Sequence, residues 1–307
     1  MLTAPSRVRG EWIWIYGDDD LLLPGGVRRV LERLQKDRPA FLTLNRCVID
    51  NTLSQIIMPS KHDVPSANYP TLIDLFGAIG VDQISFFSSQ VYHTDTALMI
   101  DEEKFSTNAG NFGQVAYYLD GFSDLPAAYE AEAFVVHRWN PNAQGTHTSN
   151  FLHLATSLPR MIAQVRDRKG LASDLLEQLG GGKFVGRETR SDLTYVDNLL
   201  HYLFHTISSG MSVPFEDWRF LESEAQNWRP EHSSRIKEAK ALADSLAGAA
   251  AELAKTQAAL DALASDKHTP DTLKRLFSVQ LRDRLGALTT QMGNLTAQAS
   301  EKTRFFT

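Results

Sequence analysis

The chain has 307 residues, enough for one large domain with an appendage or for two modest domains. Hydrophobic residues make up 43% and charged residues 22%, as in ordinary globular proteins, and the net charge of -6 argues against broad binding of nucleic-acid phosphates. Cys47 is the only cysteine, which excludes an internal disulfide and a cysteine-cluster zinc site.

No apolar run approaches the roughly 18 to 20 residues that span a bilayer. The first residues also lack the apolar core of a signal peptide. We therefore expect a cytoplasmic protein, with peripheral association at the inner face of the membrane left open.

Residues 11–16, "EWIWIY", predict a strand whose three aromatic residues face one way and whose two isoleucines face the other. Because both faces are apolar, the strand belongs inside a sheet that is covered by helices. A helix is predicted to open near Pro24, a residue favoured in the first turn. Its predicted apolar face consists of Val27, Val30, Leu31 and Leu34.

The next elements alternate between strand and helix patterns, which favours an α/β fold with a mixed sheet. The predicted strands are 41–44, 83–92 and 132–139, and the predicted helices are 71–80 and 113–122. After residue 150 the strand pattern almost vanishes. Helical patterns follow at 151–166, 171–179, 191–208 and 214–226.

The last third of the chain carries two heptad patterns. The first consists of Leu242, Leu246, Ala249, Leu253, Thr256, Leu260 and Leu263, and the second of Leu281, Leu285, Leu288, Met292 and Leu295. Between them, Thr269 is predicted to cap a new helix with Pro270 at its first position. These helices form a packed tail without a partner, fold back as a hairpin, or pair with another copy.

Two histidines, His201 and His205, are four residues apart on a predicted helix. Zinc metalloproteases have this spacing, but they need Glu after the first histidine. Tyr202 stands there instead, so the sequence predicts a packed or half-exposed pair.

Three consecutive aspartates follow the first predicted strand. If the strand continues to residue 20, Asp18 and Asp20 point one way and Asp19 the other. Carboxylates two positions apart can share Mg²⁺ or Mn²⁺ together with ligand phosphates. The alternative is an acidic turn in which Asp20 favours the positive end of the following helix. An EF-hand is excluded, because the alternation and the later glutamate are missing.

The segment "EWIWIYGDDDLLLPGGVRRVLERL" resembles the central part of family 2 glycosyltransferases of the GT-A (Rossmann-like) fold, closest to the abequosyltransferase-like bacterial group. "ISFFSSQVYHTD" and "VVHRWNPNAQG" are similar to later segments of that family. The resemblance covers roughly residues 8–150. It implies a partial GT-A domain at 1–150. The helical and heptad patterns that follow predict a helical domain at 151–234 and a coiled-coil-like tail at 235–307.

By this resemblance, the three aspartates correspond to a DxD motif whose Mn²⁺ or Mg²⁺ bridges the diphosphate of a nucleotide-sugar donor. Asp18, Asp19 and Asp20 with Arg138 would bind the donor, and His137 would join Asp18 and Asp20 as a metal ligand. His147, at the other end of the adjoining loop, is a further candidate metal ligand, and Asn140 is a further candidate contact to phosphate or sugar. The alternative is that these are ordinary strand and loop residues. The implied acceptor is a glycan or a lipid-linked oligosaccharide in surface polysaccharide synthesis.

An inverting enzyme of this kind needs a general base. The stretch "NAGNFGQVAYYLDG" departs from the family's usual Glu-Asp pair. Asp82 and Asp120 are the remaining candidates.

Only ten residues precede the first strand, where the family has further strands. A late start site or a fragment is favoured over a degenerate protein. The rival function is a non-catalytic scaffold that keeps a transferase remnant. In either case we expect a homo-oligomer through the C-terminal helices.

Overall fold

The computed structural model describes residues 8–100, 113–139, 147–180 and 193–304, without the side chains of Asp82 and of residues 147–150. Contacts divide the chain into two compact units, with the boundary between Leu199 and Leu200. The predicted division at 150 and 234 stays a prediction.

The first unit is an α/β structure. Its strands are β1 (Trp12–Trp14), β2 (Leu21–Leu22), β3 (Phe41–Asp50), β4 (Ile56–Met58), β5 (Ala67–Tyr69), β6 (Gln90–His93) and β7 (Ala127–Trp139). Its helices are α1 (Gly26–Asp37), α2 (Leu72–Ile79), α3 (Val81–Ser85), α4 (Thr94–Leu98), α5 (Gly113–Phe122), α6 (His147–Ala155), α7 (Ser157–Lys169) and α8 (Leu175–Gln178). Helix α9 (Tyr195–Ser208) crosses the boundary between the units.

The strands form one mixed sheet in the order β1-β6-β3-β7-β2, with β4 beside β3 and β5 beside β7. Strands β3 and β7 are parallel. Both β1 and β3 are antiparallel to β6. Strands β1, β3 and β7 therefore run in the same direction, and their carboxyl ends lie at the same edge of the sheet.

Helices cover both faces of the central strand β3. On one face, Leu42 and Leu44 belong to a core cluster with Val30 and Leu34 of α1. On the other face, the ring of Phe41 lies 5.0 Å from that of Tyr118 and 5.5 Å from that of Phe122, both on α5. The coarse prediction of a layered α/β fold is confirmed. The doubly buried strand is β3 and not the predicted β1, which is the last strand of the described sheet and has half-buried Trp12 and Trp14.

The predicted strand 83–92 is largely wrong. Residues 81–85 form α3, Phe87–Ser89 form a 3-10 turn, and only β6 is extended. The side-chain amide of Gln90 donates to the backbone carbonyl of Gln83 at 2.8 Å. The side-chain amide of Gln83 donates to the backbone carbonyl of Leu44 at 2.6 Å. These buried side-chain bonds stabilise a compact connection that local strand propensity does not predict.

The predicted apolar face of α1 is half wrong. Val30 and Leu34 are 2% exposed, whereas Val27 is 52% and Leu31 47% exposed. Gly26, Val30 and Leu34 are the buried positions of this helix and follow a spacing of four. This phase turns the other two apolar residues toward solvent.

The second unit contains the end of α9, then α10 (Phe215–Glu224), a 3-10 turn (Ala225–Asn227), α11 (Pro230–Ser265) and α12 (Asp271–Arg304). Helices α11 and α12 pack against each other as an antiparallel hairpin. Glu252 of α11 pairs with Arg284 at 2.7 Å, and Glu238 pairs with Lys302 at 2.8 Å. Every residue of the two predicted heptad patterns is buried or half-buried. The hairpin alternative is the arrangement that the structure has.

The predicted start of α12 at Pro270 is one residue early. The hydroxyl of Thr269 donates to the carboxylate of Asp266 in the connection, and α12 begins at Asp271.

Among the described residues, no helix combines the length and apolar character needed to cross a bilayer.

Truncation of Leu34 to Ala is expected to cost about 2 to 5 kcal/mol of unfolding free energy, because it leaves a cavity under the sheet. The matched variant Leu31→Ala is expected to cost less than about 1 kcal/mol, because that side chain is half exposed. Urea denaturation followed by tryptophan fluorescence measures both. Equal losses would contradict the observed phase of α1.

Acidification is expected to destabilise the second unit through His201. Burial lowers the pKa of His201, the neighbouring His205 lowers it further, and the contact of Nδ1 with the carbonyl of Thr303 opposes the shift. The unfolded chain therefore binds a proton at a pH where the folded chain does not, so the stability from this group is lost as pH falls through about 6.5.

Urea midpoints at about pH 7.5 and about pH 5.5 test this linkage. The variant His201→Gln is expected to lose less stability between the two values than the parent chain. His268→Gln, at an exposed position of the hairpin connection, is the matched control. An unchanged pH dependence in His201→Gln would exclude His201 as its source.

Candidate functional site

The three aspartates lie in a turn at the carboxyl end of β1. The strand ends at Trp14, and the amide of Asp20 donates to the carbonyl of Gly17 at 3.3 Å. The predicted continuation of the strand to residue 20 is therefore wrong, and the carboxylates do not alternate across a sheet. We call residues 17–20 the acidic turn.

Asp20 is the anchored member of the acidic turn. Its side chain is 4% exposed. The hydroxyl of Ser88 donates to Oδ2 of Asp20 at 2.6 Å, and Nδ1 of His137 lies 3.3 Å from Oδ1. A carboxylate oxygen only accepts, so Nδ1 of His137 carries the proton in this contact. Both oxygens of the buried carboxylate thus have a partner.

Ser88 also fixes the backbone of the turn. Its hydroxyl accepts from the amide of Gly17 at 2.9 Å, and its carbonyl accepts from the indole nitrogen of Trp14 at 2.8 Å. A Cβ atom at residue 17 would lie 3.0 Å from carboxylate oxygens of Asp19 and Asp20. Glycine is the residue that allows the chain to pass this closely.

Tyr16 closes the acidic turn on its other side. Its hydroxyl donates to the carbonyl of Leu21, so it bridges the turn. Burial, and secondly the carboxylate of Asp20, raise the pKa of Tyr16 well above its ordinary value. The phenol therefore remains a protonated donor at neutral pH.

The imidazole of His137 packs against the aromatic ring of Phe86 in addition to its contact with Asp20. Phe86 meets it edge-on with ring centroids 4.8 Å apart, and the guanidinium carbon of Arg46 lies 4.0 Å from the centroid of Phe86. The His137 side chain is still 27% exposed. With Nδ1 directed to Asp20, Nε2 is the ring nitrogen left for a ligand.

Asp18 and Asp19 have the opposite environment to that of Asp20. Both residues are exposed at the outer part of the acidic turn. Exposed carboxylates are acceptor-only groups that suit a hydrated divalent cation. Of the predicted ligands, the structure brings Asp20 and His137 into contact and leaves Asp18 and Asp19 open.

Arg138 follows His137 on β7 and is exposed. Consecutive strand residues point to opposite faces, so Arg138 is directed away from the face of His137. The structure does not bring this predicted donor-binding residue to the acidic turn.

Asp120 lies on α5, and its carboxylate accepts from Nε of Arg168 of α7 at 2.9 Å. The aromatic residues of α5 pack on Phe41, at the amino end of β3, whereas the acidic turn lies at the carboxyl edge. The structure therefore does not bring this candidate base to the turn. The other candidate base, Asp82, lies in α3, but its side chain is outside the described part of the structure. The side chain of His147 and the whole of Asn140 also lie outside it.

A search of the described residues finds no group of three or more histidine, cysteine or acidic side chains placed to hold a metal ion. Mg²⁺ sites commonly use only one or two carboxylates, with waters and substrate phosphates completing the shell. The exposed pair Asp18 and Asp19 fits a site of this kind, with two carboxylates from the protein.

Sequence reasoning missed the groups that hold the site together, namely Ser88, Tyr16 and Phe86. The serine pair at 88 and 89 was visible, but nothing local distinguishes which serine contacts the turn. Ser89 is also buried, and its hydroxyl has no hydrogen-bond partner among the described residues.

This difference between neighbouring serines gives a matched test of the anchor. Ser88→Ala is expected to cost about 1.5 to 3 kcal/mol of unfolding free energy, because it leaves Oδ2 of the buried Asp20 carboxylate without its side-chain donor. Ser89→Ala is expected to leave stability unchanged or slightly raised. Denaturant titration measures both, and equal losses would show that the contact with Asp20 is not what matters.

No family model matches the chain, and no curated protein matches it. The geometry of the turn and the sequence resemblance are therefore what support a proposal about function.

Proposed function

We propose that the chain is a glycosyltransferase that holds the diphosphate of a nucleotide-sugar donor, together with Mn²⁺ or Mg²⁺, at the acidic turn. The observation that carries this proposal is the division of the three aspartates. Asp20 is buried and fixed by Ser88 and His137, while Asp18 and Asp19 are exposed. A rigid turn with two open carboxylates is suited to a divalent cation and an anionic ligand.

The place of the turn in the sheet supports the same function. In open α/β sheets, ligands bind beyond the carboxyl ends of the strands. The acidic turn follows β1 at that edge, and His137 near the end of β7 reaches the same edge. Residues from two distant strands thus converge where a ligand is expected.

The GT-A identity belongs to this proposal. The order of aromatic strand, acidic turn and helix after a Pro-Gly pair is the order that the resemblance implies, and β1, β2 and α1 have it. Strand β1 pairs with β6 on one side, and no strand of the described residues pairs with its other side. The GT-A interpretation expects further strands at this edge.

Each residue of the acidic turn would have one role in binding the donor. Asp18 and Asp19 would supply oxygen ligands, and waters together with the phosphates of the donor would complete the shell. Asp20 holds the turn through its contacts with Ser88 and His137. When bound, the cation would neutralise the negative charge that grows on the departing diphosphate. The acceptor hydroxyl belongs to a glycan or a lipid-linked oligosaccharide, as the resemblance implies.

A non-catalytic scaffold is the second candidate, and one observation favours it. Both oxygens of Asp20 are already bonded within the protein. A turn built only for stability would have this feature. It would not explain why two further aspartates are exposed beside Asp20.

Calorimetric titration of UDP, GDP and dTDP, each with and without Mn²⁺, separates the two candidates. We expect binding of at least one diphosphate only when Mn²⁺ is present. Asp18→Asn/Asp19→Asn is expected to weaken it at least about tenfold, the scale seen when groups around a bound metal are removed. The turn should stay folded, because Asp20 and Ser88 are untouched.

Asp95→Asn/Asp124→Asn removes two exposed carboxylates elsewhere in the first unit and is the matched control. Its affinity should equal that of the parent chain. A folded parent chain that binds none of the three diphosphates in Mn²⁺ would refute the donor site and leave the scaffold. Equal weakening in both variants would show a general charge effect.

A further inference from the structure

The closed end of the α11–α12 hairpin has an apolar surface that the fold does not use. Leu273, Leu276, Phe277 and Val279, in the first turns of α12, are each between 44% and 55% exposed. We call these four residues the apolar tip. Monomeric proteins scatter single exposed apolar residues, whereas four within seven positions mark an interaction surface.

The apolar tip faces away from α11. The positions of α12 that are turned toward α11 in this region are Lys274, Ser278 and Leu281, which are half-buried. Leu273, Leu276 and Phe277 have the spacing i, i+3, i+4 and share a separate, outward face. Hairpin packing therefore does not explain their apolar character.

Cations surround the apolar tip. Residues 267–284 contain five lysines and arginines but only two aspartates, in a chain whose net charge is -6. Arg284 pairs with Glu252 of α11. Within the described part of the chain, Lys267, Arg275 and Arg282 form no ion pair. The charged carboxylate of Asp266, next to the connection, interacts with Lys274 and offsets that cation.

We propose that the apolar tip docks on the surface of a membrane that contains anionic lipids. An apolar face flanked by lysine and arginine is the pattern of helices that lie at the lipid headgroup boundary. Anionic headgroups attract such cations, whereas a second copy would bring the same positive charges together at this end. The charge therefore favours lipid over self-association, independently of the glycosyltransferase proposal.

Flotation of the full chain with vesicles tests the docking surface. We expect binding to phosphatidylcholine vesicles that contain phosphatidylglycerol, weaker binding to pure phosphatidylcholine, and loss of binding as salt is raised. Leu276→Ser/Phe277→Ser and Arg275→Glu/Arg282→Glu are each expected to weaken binding about tenfold or more. All four side chains are exposed, and circular dichroism checks that the helices remain folded.

Matched controls change the same residue types outside the tip. Phe215→Ser removes an exposed phenylalanine of α10, and Lys237→Glu/Lys255→Glu reverses two exposed cations of α11. Both should bind vesicles like the parent chain. Failure of the folded parent to bind anionic vesicles, or equal loss in the controls, would overturn the proposal.

Sedimentation velocity on the same variants identifies the other occupant. A dimer that Leu276→Ser/Phe277→Ser dissociates, with vesicle binding unchanged, would show that a second copy covers the tip and would also overturn the lipid assignment. A parent chain whose oligomeric state is the same in all variants, together with tip-dependent vesicle binding, supports it.

Discussion

The parallel pairing of β3 with β7 is the constraint on which the first unit depends. The two strands run side by side from the pair Phe41 and Ala127 to the pair Asp50 and Trp139. Because they are parallel, their carboxyl ends lie at one edge of the sheet. Strands β1 and β3 are both antiparallel to β6, so the carboxyl end of β1 lies at the same edge. This topology brings His137 to Asp20 across 117 positions of sequence. Neither residue's local preferences specify that contact.

The burial of Asp20 determines how the acidic turn is organised. A buried carboxylate is stable only with hydrogen-bond donors around it, and Ser88 and His137 provide one for each oxygen. Directing one of three consecutive carboxylates inward also separates it from the other two. Asp18 and Asp19 then face solvent on a turn whose backbone is already fixed. A ligand that binds there would not have to order the turn first, which reduces the cost of binding.

The features that the sequence predicted are those that depend on local periodicity. The positions of helices α2 and α5 and the buried heptad residues of the hairpin follow from the apolar spacing. The buried face of α1 does not, because two of its four apolar residues are turned to solvent. The segment 83–92 was mispredicted because Gln83 and Gln90 bond to carbonyls that only the folded chain brings near. The site divides in the same way. Asp20 and His137 were both named from sequence, but their contact, and the anchoring role of Ser88, depend on sheet topology.

The hairpin shows how a periodic sequence can carry two surfaces on one helix. The heptad positions of α12 pack on α11 along its length, and the outward face is polar further along, at exposed residues such as Arg284 and Gln291. Only near the connection does that outward face become apolar and surrounded by cations. A sequence that needed only a stable hairpin would keep the outward face polar throughout, because apolar residues there add nothing to the packing. The exposed apolar residues of α12 are confined to the closed end, so the interaction that they serve must take place at that end of the hairpin.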